Sequence, residues 1–298
     1  MQLHALFSAA CLLAASSIAM ADSLPLRVVS FNIRYAATVR ETNERPWSER
    51  RVGLIEQLKA VTSANGTAGV AVLGLQEVLD GQLSDIKNGL GAATWAHVGF
   101  GRDDGAKAGE YSPILYRADL LRLVYSEMKW LSPTPDRASF GWGAGSRRVV
   151  TIAVLEHAAS GRRFLHANTH LDNVSALART EGIKVALARV QAVQALHGPL
   201  GVVLTGDFNS EPGGDAYATL ESTGYLTEVW YSGAARRGTN QLTYTGFSAT
   251  GKSRIDFVWF GPTAESRFSA QQFEFLGNDV NGIFISDHRA VVADLTLL

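Results

Sequence analysis

Residues 202–209 run Val-Val-Leu-Thr-Gly-Asp-Phe-Asn. The first half has the β-branched, apolar character of a buried strand. The second half delivers an acid and a carboxamide where that run stops. In an extended segment, residues two apart share a face, so Asp207 and Asn209 project together. The same Gly206–Ser210 segment is also a turn composition.

The arrangement recurs outward in both directions. Leu26-Arg27-Val28-Val29 leads into Ser30-Phe31-Asn32, and Val72-Leu73-Gly74-Leu75 leads into Gln76-Glu77. Phe164-Leu165-His166-Ala167-Asn168 leads towards His170-Leu171-Asp172. Arg254-Ile255-Asp256 opens an apolar run, and Ser286-Asp287-His288 precedes another at Ala290–Leu295. Tyr111, after Gly109-Glu110, is a weaker member of the set. Oxygen donors and two histidines at several strand ends suit metal-assisted hydrolysis. The oxygens hold a hard cation, and the imidazoles handle protons.

Between these clusters, strand and helix patterns alternate. Strands are expected at Leu26–Phe31, Val70–Leu75, Ile114–Tyr116, Leu121–Trp130, Val149–Glu156 and Arg163–Thr169, the last four close enough for hairpin connections. Further strands are expected at Val202–Thr205, Ile255–Phe260, Phe268–Phe275 and Ala290–Leu295. Pro46 opens a helical pattern with Val52, Ile55, Leu58 and Val61 on its apolar side. Leu79–Leu90 is a second helix. Ala176–His197 is the longest, with Ile183, Leu187, Val190 and Val193 as its buried stripe. The pattern fits one α/β domain with packed sheets and helices outside. Two long loops, Gly99–Gly109 and Ser132–Ser146, have the length of functional loops, and Trp142 is available there for stacking.

The chain has 298 residues, 46% hydrophobic and 18% charged, which supports a sizeable core. Its formal net charge of -1 lacks the surplus that holds long duplex nucleic acid. Residues 1–21 have the pattern of a secretory signal: an apolar core at Ala5–Ala15 and a small-x-small site at Ala19-Met20-Ala21. The mature domain is then 22–298. It is exported: extracellular, or periplasmic in a Gram-negative cell. The apolar core is shorter than the ~20 residues of a bilayer span, so no membrane insertion is expected. The single cysteine, Cys11, lies in this leader, so neither disulfides nor thiolate metal sites are expected in the mature chain. Asn65 and Asn173 begin glycosylation sequons. In a eukaryotic source, a glycan is expected at Asn65 and not at Asn173, which adjoins Asp172.

A carboxylate at a buried strand end calls for a partner or a cation. Asn32 and Glu77 are oxygen donors suited to magnesium. Asp256, inside an apolar strand, calls for a histidine. Asp-His at Asp287-His288 offers a carboxylate for metal and an imidazole for water. His166 and the remaining histidines are expected to be structural or surface residues. No Gly-x-Ser-x-Gly elbow occurs, which counts against a serine hydrolase.

Taken in order from Val28 to Val292, the set resembles the endonuclease/exonuclease/phosphatase superfamily. The resemblance implies a four-layer α/β sandwich of two packed mixed β-sheets flanked by helices, with the site at one edge. It implies divalent-metal phosphoester hydrolysis with Mg²⁺ or Mn²⁺. On that likeness Asn32, Glu77 and Asp287 lie at the metal. His170 stabilises the transition state or protonates the leaving group. Asp207 and Asn209 position water and phosphate, and Asp256 orients the catalytic His288. Asp172, Arg102 and Tyr111 are expected to face substrate. Lys252-Ser253-Arg254-Ile255-Asp256 departs from the inositol-phosphatase signature, and no membrane-binding hairpin supports a sphingomyelinase. The segment from Gly99 to Ile114 is similar to a secreted branch related to the deadenylases. The expected substrates are single-stranded RNA ends, nucleotides or small phosphoesters, handled by a monomer. Two alternatives are a small-molecule phosphatase with no nucleic-acid substrate and a catalytically silent binding protein of the same fold.

Overall fold

In chain order the elements are β1 (Leu24–Asn32), α1 (Trp47–Ser63), β2 (Ala71–Gln76), α2 (Asp80–Leu90), β3 (Trp95–Val98), β4 (Ile114–Arg117), β5 (Leu121–Trp130), β6 (Val149–His157) and β7 (Arg163–His170). There follow α3 (Ala176–His197), β8 (Gly201–Asp207), α4 (Asp215–Glu221), β9 (Thr227–Glu228), β10 (Ala235–Arg237), β11 (Asp256–Gly261), β12 (Phe268–Phe275), β13 (Asp279–Val280), β14 (Ile283–Phe284) and β15 (Val291–Leu297). The computed structural model describes residues 23–63 and 70–298. The leader with Cys11 and the Asn65 sequon lie outside the described residues.

The strands form a seven-stranded sheet, ordered β10-β12-β15-β1-β2-β4-β3, a six-stranded sheet, ordered β5-β6-β7-β8-β11-β9, and a separate two-stranded pair of β13 and β14. Both are mixed: β1 runs parallel to β2 and antiparallel to β15, and β7 runs parallel to β8, which is antiparallel to β11. Strand alternation builds three apolar layers. Val28, Val72, Val203 and Val258 meet between the sheets. Their neighbours Val29 and Leu73 face the outer helices with Leu54, Leu58, Leu83 and Ile86. On the other side, Val202 and Leu204 pack with Ile183, Val190 and Val193 of α3. Helix, sheet, sheet and helix make the four-layer α/β sandwich.

The layers set the site by placing strand ends at one edge. The C-termini of β1, β2, β7 and β8 point the same way as the N-termini of their antiparallel neighbours β11 and β15. The register pairs Asn32 with Gln76, His170 with Asp207, and Asp207 with Asp256. Residues far apart in sequence therefore become lateral neighbours.

Three expectations change. The buried side of α1 is Arg50, Gly53, Leu54 and Leu58, while Val52 is 66% exposed. A buried arginine holds that face, and an apolar repeat does not reveal it. The step from β4 to β5 is a crossover between sheets, since their partners belong to different sheets. The elements β3, α4, β9, β10, β13 and β14 were not expected. Five are strands of two to four residues, and α4 is a seven-residue helix, all too short to show a periodic pattern.

Candidate active site

Asp207, the last residue of β8, is the hub of the strand-end cluster. Its Oδ2 accepts a 2.9 Å hydrogen bond from Asn32 Nδ2 and lies 3.5 Å from His170 Nε2 and 3.7 Å from His288 Nε2. The chain then turns: Asn209 takes φ +47°, its amide donates to Asp207 Oδ1 at 2.9 Å, and its carboxamide lies 3.1 Å from His170 Nε2. Asp207 and Asn209 thus share the site through a left-handed turn residue, not through strand alternation. On β11, Asp256 Oδ2 lies 2.8 Å from Nδ1 of His288, the histidine that its burial called for. Glu77 leaves β2 at φ +58°, which swings its carboxylate to Asn32 Nδ2 at 3.0 Å and Tyr35 N at 3.2 Å.

Above these groups lies a cavity of about 680 Å³. Glu77, His170, Asp207, Asn209, Asp287 and His288 form its floor. Arg34, Arg102, Glu110 and Arg148 are among its walls. Burial disfavours the charged form of both histidines, and their neighbours decide the outcome. Burial, aided by Arg148 and Arg102, drives His170 well below the usual imidazole value, so it is neutral at pH 7. Burial opposes the charge on His288, but Asp256, Asp287 and Asp207 outweigh it and raise that imidazole well above its usual value. Burial and Asp256 push Asp207 up to about 7, against His288. Burial likewise raises Asp287 to about 6, with His288 opposing and Glu77 adding.

Asp287 is a buried carboxylate whose nearest side-chain hydroxyl among the described residues, Ser286 Oγ at 3.4 Å, gives its proton to Asn32 O at 2.7 Å instead. Crowded, under-satisfied oxygens beside Glu77 fit a hard divalent cation. Asp207, Asp256 and His288 also have ligand atoms within 4.8 Å of one another. That trio is less suited to a cation, because the His288 Nδ1–Asp256 bond engages two of its members and His288 favours its protonated form.

A family model described as "Endonuclease/Exonuclease/phosphatase family" matches residues 29–288. The chain belongs to this family. Its members are phosphoester hydrolases, and the match spans every strand end at the site. No curated protein sequence matches the chain. Among solved structures, an endonuclease/exonuclease/phosphatase family protein of Bacteroides thetaiotaomicron is 28% identical, with TM-score 0.80, over 93% of this chain and 99% of that one. A mannosyl-6-phosphatase of the same bacterium is also 28% identical, with TM-score 0.80, over 91% and 99%. The catalytic domain of human Nocturnin, solved with a bound sulfate, shares the fold at 20% identity and TM-score 0.69, over 92% and 94%.

Within this family fold, Asn32, Glu77, His170, Asp207, Asn209, Asp256, Asp287 and His288 converge. Arg102 reaches the cavity wall, where Glu110 accepts both of its terminal nitrogens, at 2.7 and 2.9 Å. Two expected substrate contacts do not reach it. The buried phenol of Tyr111 shares its one proton between Asp80 Oδ1 at 2.9 Å and Ala106 O at 3.0 Å, fastening a loop. Asp172 accepts from the amides of Gly145, Ser146, Val174 and Ser175, because β7 ends at His170 and alternation stops there. Trp142 does not line the cavity. His166 is structural as expected, buried at 2.9 Å from Thr205 Oγ1. Sequence reasoning missed Arg34, Glu110 and Arg148. Glu110 adjoins Tyr111, and its carboxylate lies 3.9 Å from His170 Nδ1. Arg34 lies two residues beyond Asn32; nothing in the sequence marked Arg148.

Proposed function

We propose that the chain is an exported, monomeric, divalent-metal-dependent phosphatase for small, hydroxyl-rich phosphate esters of the sugar-phosphate class. The carrying observation is the cavity lining. Three arginines, several carboxylates and two tyrosines, Tyr35 and Tyr244, face it, and Ile255 is the one aliphatic side chain there among the described residues. Such walls are mostly polar, offering hydrogen bonds to hydroxyls and charge to phosphate. The likeness to a mannosyl-6-phosphatase supports the same reading. Export rests on the signal-like leader. No helix of the described residues is long and apolar enough to cross a membrane.

Asn32, Glu77 and Asp287 would hold Mg²⁺ or Mn²⁺, which when bound neutralises charge on the phosphoryl oxygens. Asp207, between two imidazoles and beside Asn209, orients the attacking water and receives its proton. Asn209 and neutral His170 hydrogen-bond the phosphoryl group. Protonated His288, fixed by Asp256, supplies a second donor with a defined direction.

The test is a turnover comparison of a hexose 6-phosphate, a mononucleotide, a short RNA and plasmid DNA, across a salt series. The hexose phosphate should lead, with weak salt dependence. EDTA should abolish turnover, and Mg²⁺ or Mn²⁺ should restore it. A lead for plasmid with a steep salt slope would overturn the substrate class. Full activity after chelation would overturn the metal.

A further inference from the structure

Arg50, on the first helix, is completely buried, yet among the described residues no carboxylate lies within hydrogen-bonding distance of it. Its neighbour Glu44 is 3.9 Å away. All five of its N–H bonds instead go to backbone carbonyls. Nε donates to Arg45 O at 3.0 Å. One terminal nitrogen donates to both Ile33 O and Ile285 O, each at 2.9 Å. The other donates to Arg34 O at 3.2 Å and Tyr35 O at 3.0 Å. The rings of Trp47 and Phe247 flank the guanidinium, with centroids at 5.4 and 5.9 Å.

The identity of those carbonyls gives the arrangement its meaning. Ile33 directly follows Asn32, and Ile285 stands two residues before Asp287. A single nitrogen therefore bridges the loop that carries one proposed cation ligand to the loop that carries another. Ser286 Oγ adds a second tie between the same loops, donating to Asn32 O at 2.7 Å. Irregular backbone leaving a sheet edge has carbonyls with no strand partner. Here one planar, five-donor group satisfies them together, in a geometry that a lysine, with three donors, cannot copy.

We propose that Arg50 is a positioning residue for the cation site, its guanidinium holding the Asn32 and Asp287 loops in register before any metal arrives. This rests on the metal-dependent reading above. Arg50 touches neither substrate nor reacting atoms; it acts through the two loops. Groups that orient metal ligands from behind commonly change affinity by roughly 10–100-fold when replaced.

The experiment measures Mg²⁺ affinity by calorimetry, with thermal stability alongside, for wild type, Arg50→Lys and Arg27→Lys. Arg27 pairs with the buried Asp294 near the opposite end of β1, at 2.6 and 2.8 Å, so its variant controls for losing a half-buried arginine contact on the same sheet. Arg50→Lys should bind Mg²⁺ roughly 10–100-fold more weakly, and Arg27→Lys should bind as wild type does. Equal affinity in Arg50→Lys and wild type overturns this inference alone. A wild type that binds no Mg²⁺ overturns the proposed function and this inference with it. If Arg50→Lys does not fold, hydrogen exchange on wild type decides. The Ile33 and Ile285 amides, bonded to Gln76 O and Asn278 O, should be as protected in EDTA as in Mg²⁺. Protection that appears only with Mg²⁺ would show that the cation, and not Arg50, orders the loops.

Discussion

Asp207 lies almost equidistant from two imidazoles of opposite character, one neutral and one protonated. Replacing His170 or His288 with alanine should therefore cut turnover by roughly 10²–10⁴-fold, the usual scale for proton handling. Mg²⁺ affinity should change little, because neither imidazole belongs to the oxygen set. Glu77→Gln should do the reverse, weakening Mg²⁺ binding, with partial recovery of turnover at high Mg²⁺. Steady-state kinetics across a Mg²⁺ titration separates the two patterns, and a normal turnover in His170→Ala would remove that histidine from the chemistry. At this scale the sequence was legible wherever burial forces a partner: Asp256 needed a histidine, and His288 provides it. It was illegible where the backbone leaves regular geometry. Glu110 and Tyr111 were separable only once the loop placed one carboxylate beside His170 and turned the phenol towards Asp80.

Among the elements, the loop after β7 and the loop before β6 depend on one another through Asp172. It accepts four backbone amides, and Arg148 Nε approaches it at 3.4 Å. Arg148, Ser146 and Asn173, all on these loops, line the cavity. Asp172→Ala should destabilise the fold by about 1–3 kcal/mol, the cost of leaving buried donors unpaired. It should also raise KM more than it lowers kcat. Thermal melts and steady-state kinetics check both, and an unchanged KM would show that the loops hold their shape without it. The amides outweigh burial and hold the Asp172 carboxyl below its ordinary 3.8. A lowered folded-state value means that its stabilisation is present above 3.8 and is lost as pH falls through the folded value. The melting temperatures of wild type and Asp172→Asn should therefore converge in strong acid. Helix α3 shows how far pattern reading reaches, since Ile183, Val190 and Val193 of its expected stripe are buried and Leu187 is half-buried. In α1 the same reasoning put Val52 inside, because no periodicity scale expects an arginine such as Arg50 at the centre of a buried face.

Across the whole molecule, the two sheets meet through a polar seam beneath the site as well as through valines. Asn168 Oδ1 accepts from Gln76 Nε2 at 2.7 Å and Thr205 Oγ1 at 2.9 Å, while Asn168 Nδ2 reaches Leu75 O across the interface at 2.7 Å. Gly74 makes this approach possible: a Cβ there would lie 2.0 Å from Thr205 Oγ1 and 2.7 Å from Asn168 Oδ1. Gly74→Ala should cost about 1–3 kcal/mol as an overpacked core position, read by urea denaturation. An unperturbed midpoint would mean that the sheets separate more easily than their packing implies. The alternation of apolar runs was enough to expect stacked layers. The seam was not legible, because Gln76 meets Asn168, which pairs with Thr205 across β7 and β8, only through the packing of the two sheets. The position of β1 also has a consequence in time. It is flanked by β2 and β15, and Leu24 pairs with Leu297. The middle of the sheet is thus completed by the strand that follows every other strand of both sheets in chain order, through contacts of very long sequence separation, which form slowly. Asp287 and His288 arrive with that same segment. A chain that has emerged only as far as Asn32, Glu77 and His170 therefore lacks Asp287 and His288, and the strand-end cluster is complete only once β15 takes its place beside β1.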